Sequence, residues 1–379
     1  MADPPSWSYD ISDAARFVAA QGLDTSLEPS PIPLDRATWT RLVDDCVRHG
    51  LTGLLVDAVV RDALLVTADQ RAEAGRLESD LVRRRISYER RVGPILSLFD
   101  EAGIEVRILK GVAVARCEYS DDQLRGTSDL DVLVHADEID EASSLLVAAS
   151  GKRTDPDPTP GWTSRVGKGA TLMLSAANME VDLHRILVWG PLGVRVPADE
   201  LWEPSRPFDL AGVRRRTLAR EETLLHACAH LLILGVERAR EVRDVAQIAS
   251  NPSLDVTRLL DLARRWGQES VLATALVFAH RELALGPNAH PLVGWAHDYR
   301  MPRLDALWLK AGAAQDRIHG VEQLGVWWEL RRDPRPWEAR RILLRANLCP
   351  RAGTYDRPTT RLRRLVERAI GGGRDRCFE

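Results

Sequence analysis

Residues 129–134, of sequence DLDVLV, alternate acidic and apolar side chains before closing on two apolar residues. Successive side chains of a β-strand point to opposite faces, so this pattern predicts a strand with one apolar and one acidic face. Leu130 and Val132 would pack into a core, while Asp129 and Asp131 would project from the other face. Two carboxylates so close repel each other, and a bound divalent cation such as magnesium removes that conflict. The strand therefore predicts a metal site.

A third carboxylate is expected on a neighbouring strand. The sequence MEVDLH, at the start of the stretch 179–187, carries Glu180, Asp182 and His184 on one face. In a two-metal site, two carboxylates bridge the ions and a further group positions or activates the attacking oxygen. We expect Asp182 to be this third metal-binding and catalytic carboxylate, with Glu180 as the competing choice.

The residues upstream of the acidic strand favour phosphate binding. Lys110 and Gly111 lie at a predicted strand-to-helix turn, where a glycine lets backbone N–H groups approach a phosphate and a lysine adds positive charge. Arg125 and Ser128 follow just before Asp129. Arg125 would either pair with phosphate oxygens or brace that aspartate. We predict that Lys110, Gly111, Arg125 and Ser128 bind nucleotide.

The histidines allow two interpretations each. His184 either orients Asp182 and approaches the nucleotide, or is a structural strand residue; we include it among the predicted nucleotide-binding residues. His226 and His230 are four residues apart on a predicted helix, but the glutamate of an H-E-x-x-H zinc motif is absent. Burial or helix capping is the preferred reading of this pair, and a contact to nucleotide or acceptor is the alternative.

The periodicity of apolar residues changes twice along the chain. The spacing of apolar residues is helical from residue 38 to Gly103, and it becomes helical again after Trp202. Between these points short strands alternate with helices, including an antiparallel pair over 170–174 and 179–187. The prediction is an α+β fold, with a small mixed sheet between two helical regions. Its parts are an irregular lead-in (1–36), an N-terminal helical region (37–102), an α/β core (103–215) and a C-terminal helical region with a basic tail (216–379).

Charge and cysteine content narrow the class of protein. The net charge is −3 over 379 residues, so no overall charge draws the chain to nucleic acid or to an anionic membrane. The five cysteines include no C-x-x-C pair, which argues against a zinc ribbon and favours reduced thiols. The first residues lack the features of a signal peptide, and the apolar runs are shorter than a membrane span. We expect a cytoplasmic protein without a membrane partner.

Together these motifs resemble the polymerase-beta-like nucleotidyltransferases, and within them the bacterial "uncharacterised nucleotidyltransferase" family. The resemblance covers roughly residues 37–250, with looser similarity in the later helices. The residues that carry it are Leu109-Lys110-Gly111, Arg125, Asp129-Leu130-Asp131, Asp182-Leu183-His184, and His226 with His230. The usual turn of the superfamily is Gly-Ser, about a dozen residues before D-x-D, whereas here Gly111 is followed by Val112 and precedes Asp129 by eighteen residues.

The resemblance implies the nucleotidyltransferase fold, an NTP substrate such as ATP, and Mg2+ or Mn2+ as cofactor. It implies that an NMP is transferred and pyrophosphate released, with a natural-product peptide or small molecule as the expected acceptor. A toxin-like enzyme that modifies tRNA or protein is the first alternative. A non-catalytic module that binds a nucleotide or a partner is the second. Neither the base, the acceptor nor the oligomeric state follows from the sequence.

Overall fold

The computed structural model describes residues 10–233, 238–303, 305–306, 325–333 and 335–348. In these parts the helices, in chain order, are α1 (Asp13–Ala20), α2 (Arg36–His49), α3 (Thr52–Val60), α4 (Ala68–Ala102), α5 (Lys110–Glu118), α6 (Ile139–Ala148), α7 (Trp162–Arg165), α8 (Pro191–Arg195), α9 (Arg220–Ile233), α10 (Ala239–Ala249), α11 (Val256–Trp266), α12 (Glu269–Glu282), α13 (Val293–Asp298) and α14 (Pro336–Leu348). The strands are β1 (Arg107–Ile108), β2 (Leu130–Leu133), β3 (Gly151–Arg153), β4 (Gly169–Leu174), β5 (Met179–His184), β6 (Ser205–Leu210) and β7 (Val213–Leu218). The predicted α+β class is confirmed.

Two compact units make up the chain, and each combines separate stretches of sequence. The first contains residues 1–95, 107–130 and 201–316, and the second contains residues 96–106, 131–200 and 317–379. The four predicted regions follow one another along the sequence instead, and their boundaries stay a prediction.

The helices of the first unit begin and end where local chemistry favours it. Asp35 caps α2 by accepting a hydrogen bond from the backbone N–H of Thr38, and Gly50 ends that helix in the left-handed conformation. Asp255 and Gly267 do the same for α11. These helices bury large side chains such as Leu42, Leu55, Trp266 and Phe278 in the core of the unit.

The predicted irregular lead-in contains a helix, so that part of the prediction is wrong. Ser12 accepts a hydrogen bond from the backbone N–H of Ala15 and starts α1, which buries Phe17 and Val18. The apolar run of this helix is short, and the surrounding proline, serine and aspartate residues favour an irregular segment instead. Residues 1–9 lie outside the described part of the chain.

The return to helix after Trp202 is also later than predicted. Residues 205–218 form the antiparallel hairpin β6–β7, which packs beside β1 in the first unit. Its two turn residues, Ala211 and Gly212, both have positive φ angles of 52° and 75°. The predicted end of α4 at Gly103, by contrast, is confirmed, and this glycine has a φ of 73°.

In the second unit the strands lie in the order β2-β5-β4-β3. The predicted hairpin of β4 and β5 is present, and its register pairs Thr171 with Asp182 and Gly169 with His184. Strand β3 pairs antiparallel with β4. Several apolar side chains of these strands are buried in the core of the unit, including Leu133, Leu172, Val181 and Leu183.

Only some of the predicted C-terminal helices lie within the described residues. Helices α9 to α12 confirm the predicted helical pattern after residue 220. Residues 307–324 and all residues from 349 on, including the basic tail that begins at Arg361, lie outside the described residues. Among the described helices, none combines the length and apolar content that crossing a bilayer would require.

Candidate active site

Asp131, Asp182 and His184 meet on adjoining strands of the second unit. Asp131 lies on β2, and the other two lie on β5; the backbone N–H of Val134 donates to the carbonyl of His184 at 3.0 Å and aligns the two strands. The Nε2 atom of His184 lies 3.0 Å from Oδ1 of Asp131 and 3.1 Å from Oδ2 of Asp182. Because ionised carboxylates only accept hydrogen bonds, this ring nitrogen is the donor.

Two further side chains hold Asp182. The ammonium group of Lys168 lies 2.5 Å from its Oδ2 atom, and the hydroxyl of Thr171 donates to its Oδ1 atom at 3.1 Å. The side chain of Asp182 retains 15% of its exposure, whereas that of His184 retains none and that of Asp131 retains 4%. Of the two carboxylates, that of Asp182 is therefore the more open to a ligand.

The donor set fits a divalent cation. One ligand atom from each of Asp131, Asp182 and His184 lies within 4.8 Å of the others. Carboxylate oxygens suit Mg2+, and an imidazole beside them suits Mn2+ as well. Lys168 offsets part of the negative charge of the acids and His184 donates to both of them, so a cation binding to both carboxylates would replace some of these contacts.

Glu180 and Asp182 differ in their surroundings, although they share one face of β5. Glu180 is exposed, whereas Asp182 is half-buried beside Asp131. The cluster of possible metal ligands includes Asp182 and not Glu180. Geometry therefore favours Asp182 as the third carboxylate, as predicted, and its metal-binding role stays a prediction.

Asp129 lies in the first unit, on the segment immediately before β2. The hydroxyl of Tyr88 donates to its backbone carbonyl at 3.0 Å, and the hydroxyl of Ser128 lies 3.4 Å from its Oδ1 atom. The first contact fixes the backbone of this residue, and the second orients its carboxylate. The predicted metal-binding role of Asp129 and nucleotide-binding role of Ser128 stay predictions.

Arg125 is held by a buried ion pair with Asp244 of α10. Its Nη2 and Nε atoms lie 2.9 and 3.1 Å from Oδ2 of the carboxylate, and Tyr119 donates its hydroxyl hydrogen to Oδ1 at 2.8 Å. Burial alone would lower the pKa of Arg125, but the Asp244 carboxylate outweighs it and raises that pKa. Burial followed by Asp244 raises the pKa of Tyr119. Arg125 thus braces the segment that leads to Asp129, and a phosphate contact stays a prediction.

The predicted glycine turn forms the start of α5. Lys110 has a positive φ of 41°, and Gly111 is buried with a non-helical backbone. A Cβ atom at Gly111 would lie 3.0 Å from Cγ2 of Thr127. Close packing against Thr127 is therefore one reason for glycine here, whether or not Lys110 and Gly111 also contact a phosphate as predicted.

His226 and His230 lie on α9 in the first unit. Their rings form an edge-to-face pair with centroids 6.4 Å apart, and His226 is buried. The preferred reading as a buried histidine agrees with this burial. Within the described ranges, the cluster of three or more possible metal ligands is the one around Asp131, and these two histidines are not part of it.

Lys168, Thr171 and Tyr88 also contact the acidic residues, although no sequence motif singles them out. The pairing of Thr171 with Asp182 could be predicted from the hairpin, since the predicted strands 170–174 and 179–187 place these two residues opposite each other. Lys168 precedes β4 in a loop, and Tyr88 lies forty-one residues before Asp129, so their contacts carry no local sequence signal.

Residues 35–284 match the model of a family described as "Uncharacterised nucleotidyltransferase". The match covers most of the chain and includes every predicted site residue. The chain is thus an enzyme of the nucleotidyltransferase class. The chain is a member of the uncharacterised nucleotidyltransferase family, which confirms the resemblance seen in its motifs.

Solved structures of nucleotidyltransferases are distantly similar. The solution structure of the antibiotic-resistance factor ANT(2'')-Ia is 14% identical, with 52% of this chain and 98% of that chain covered and a TM-score of 0.36. A crystal structure of ANT(2'')-Ia with adenylyl-2''-tobramycin is 15% identical, with 50% and 95% covered and a TM-score of 0.27. An antigenic nucleotidyltransferase-like protein from Paracoccidioides brasiliensis is 14% identical, with 52% and 95% covered and a TM-score of 0.29. No curated protein matches the sequence.

Proposed function

We propose that this protein transfers an NMP from an NTP to an acceptor, with Asp129, Asp131 and Asp182 holding Mg2+ or Mn2+. The observation that supports the proposal most directly is the meeting of Asp131, Asp182 and His184 in a member of a nucleotidyltransferase family. When bound, the cation would neutralise charge on the triphosphate as the reaction proceeds.

The residues of the chain have distinct roles in this proposal. An acceptor oxygen or nitrogen attacks the α-phosphorus, the bond from that phosphorus to the oxygen of the β-phosphate breaks, and pyrophosphate leaves. The half-buried Asp182 receives the acceptor's proton because its side chain is more exposed than that of Asp131. His184 donates to both Asp131 and Asp182 and keeps them in position. Lys110, Gly111, Arg125 and Ser128 are the proposed contacts to the nucleotide.

The acceptor we propose is a peptide or small molecule. Labelled-nucleotide transfer tests both the reaction and the acceptor: each NTP, carrying radioactive α-phosphate, is incubated with the full chain, Mg2+ and a cell lysate. Label in small molecules or peptides supports this acceptor, whereas label in a tRNA or protein band contradicts it in favour of a toxin-like enzyme. No label in any fraction would contradict nucleotidyl transfer itself.

Matched variants of β2 and β5 test the site. Asp182→Asn and Asp131→Asn are expected to lower transfer on the order of 100-fold or more, equivalent to about 2.7 kcal/mol in the barrier. Glu180→Gln removes the same charge from the same face of the same strand, at an exposed position, and is expected to retain activity. Binding of Mn2+, followed by its electron paramagnetic resonance signal, should weaken in the two aspartate variants and not in the control. Equal loss in all three variants would contradict the assignment.

A further inference from the structure

The first unit contains a cavity of about 310 Å³ whose walls are rich in arginine. It is lined by parts of α2 to α5, by the segment 122–128, and by the start of α10. Seven of the lining residues are arginines, and only two are carboxylates, Glu89 and Asp122. Such an excess of one sign of charge in a concave site attracts ligands of the opposite sign.

Four of the seven arginines have carboxylate partners. These pairs are Arg48 with Asp45, Arg125 with Asp244, and Arg85 and Arg116 each with Glu89 and Asp122. Both acidic residues of the cavity wall are therefore occupied by two of its arginines. No carboxylate of the wall therefore remains to offset the positive charge of the other three arginines.

The remaining arginines are Arg84, Arg238 and Arg240, and no carboxylate of the described residues lies within ion-pair distance of them. Arg84 and Arg238 are exposed. Arg240 lies deeper: its Nη1 atom donates to the carbonyl of Gly126 at 3.3 Å, while its Nε atom is buried without a hydrogen-bond partner. Burial, and then the nearby charge of Arg125, lower the pKa of Arg240. An anion in the cavity would relieve the cost of keeping this charge buried.

Hydroxyl groups complete the lining at one end. Thr127 and Ser128 contribute to the wall, and Ser128 directly precedes Asp129 of the acidic motif. Lys110 and Gly111, the predicted phosphate contacts, are not part of the wall. The cavity thus includes two of the proposed nucleotide contacts, Arg125 and Ser128, and adds arginines that the sequence motifs do not reveal.

We propose that this arginine-lined cavity binds a phosphate chain or phosphate group. The planar guanidinium group donates pairs of hydrogen bonds that match phosphate oxygens, and serine and threonine hydroxyls add neutral donors. The cavity volume is near the lower end of ligand pockets, which run from about 300 to 1,000 Å³, and so suits a small phosphorylated group. The phosphate belongs either to the triphosphate of the nucleotide or to a phosphorylated acceptor, and in both cases the link to catalysis rests on the proposed function.

Calorimetric titration of the full chain with inorganic tripolyphosphate, without metal, tests the proposal. Arg84→Gln combined with Arg238→Gln removes two of the arginines that lack a carboxylate partner. The control combines Arg83→Gln and Arg90→Gln, which remove the same charge from exposed positions of α4 outside the cavity. We expect the cavity variant to bind about 100-fold more weakly than wild type, about tenfold for each of the two guanidinium groups removed, and the control to change less than about 3-fold.

Two results would overturn the proposal. One is no tripolyphosphate binding by the wild type in about 0.1 M salt, where distant surface charges are largely screened. The other is an equal loss in the two double variants, which would mean that only net charge matters. Thermal melting of both variants verifies that they are folded, as substitutions at exposed arginines should allow.

Competition identifies the source of the phosphate. The titration is repeated with a saturating non-hydrolysable NTP and Mg2+. Displacement of tripolyphosphate assigns the cavity to the triphosphate of the nucleotide, and continued binding assigns it to a phosphorylated acceptor. Either outcome supports a phosphate site. Because the first titration needs neither metal nor turnover, a failure of nucleotidyl transfer would leave the binding result intact and distinguishable.

Discussion

Removing the carboxylate of Asp244 should destabilise the first unit strongly. The side chains of Arg125 and Asp244 are each only 8% exposed and make two close N–O contacts, and Tyr119 donates to the same carboxylate. In Asp244→Ala, the guanidinium group would stay buried without a counterion, and the tyrosine hydroxyl would lose its acceptor. Breaking a buried ion pair from one side costs about 3 to 5 kcal/mol, and we expect a loss of unfolding free energy in that range.

Urea unfolding followed by tryptophan fluorescence measures this loss. The control is Asp80→Ala, whose partner Arg83 is a surface residue on the same long helix; removing an exposed pair costs about 0 to 1 kcal/mol. The double variant Arg125→Met with Asp244→Leu removes both charges at once and should recover part of the loss. A loss below about 1 kcal/mol in Asp244→Ala, or no recovery in the double variant, would refute the reasoning.

Three further predictions concern stability. Gly169→Ala should prevent the β4–β5 hairpin from forming as it does, since the new Cβ atom would lie 1.6 Å from the carbonyl oxygen of Leu183; we expect a loss above about 3 kcal/mol and little folded protein by circular dichroism. Gly75→Ala should raise the unfolding free energy by about 0.5 to 1 kcal/mol, because this exposed helical glycine has open space around it, and an unchanged urea midpoint would contradict that. Burial, followed by two neighbouring histidines, lowers the pKa of His290 to about 4, below its unfolded value. The neutral histidine therefore contributes fully to the unfolding free energy above about pH 6.5, and this contribution is lost as the pH falls towards 4. His290→Asn should remove up to about 3 kcal/mol of that pH dependence in urea titrations, and an unaltered pH profile would count against it.

The sequence was most informative where a local pattern repeats over several residues. The period-two patterns of β2 and β5 predicted two strands with acidic faces, and the turn between β4 and β5 predicted their hairpin. The strand pattern therefore predicted that Asp182 and His184 share a face of β5, and the structure brings both beside Asp131.

Contacts between distant parts of the chain could not be predicted in this way. Asp244 lies 119 residues from Arg125, and no local periodicity relates the two positions. Lys168 belongs to a loop whose path depends on the packing around it. Such contacts depend on tertiary packing, which a local sequence pattern does not specify.

The hairpin β6–β7 was missed for a different reason. Two-residue hairpin turns with positive φ at both positions favour Asn-Gly or Asp-Gly, and this one is Ala211-Gly212. The charge of β7, with three consecutive arginines from Arg214 to Arg216, also obscures the alternation of a strand. An unusual turn residue combined with an arginine-rich strand left no recognisable pattern.

The contacts of Lys168 and His184 have a consequence for the order in which the sheet folds and the proposed ion binds. A pair of acids that relied on a metal for neutralisation would keep the sheet from closing until the metal arrived. Here Asp131 and Asp182 each receive a hydrogen bond or a positive charge from a side chain of the same unit. Newly made chains can therefore complete this part of the fold without an ion, so under the proposed function a chelator should abolish catalysis while leaving the protein folded.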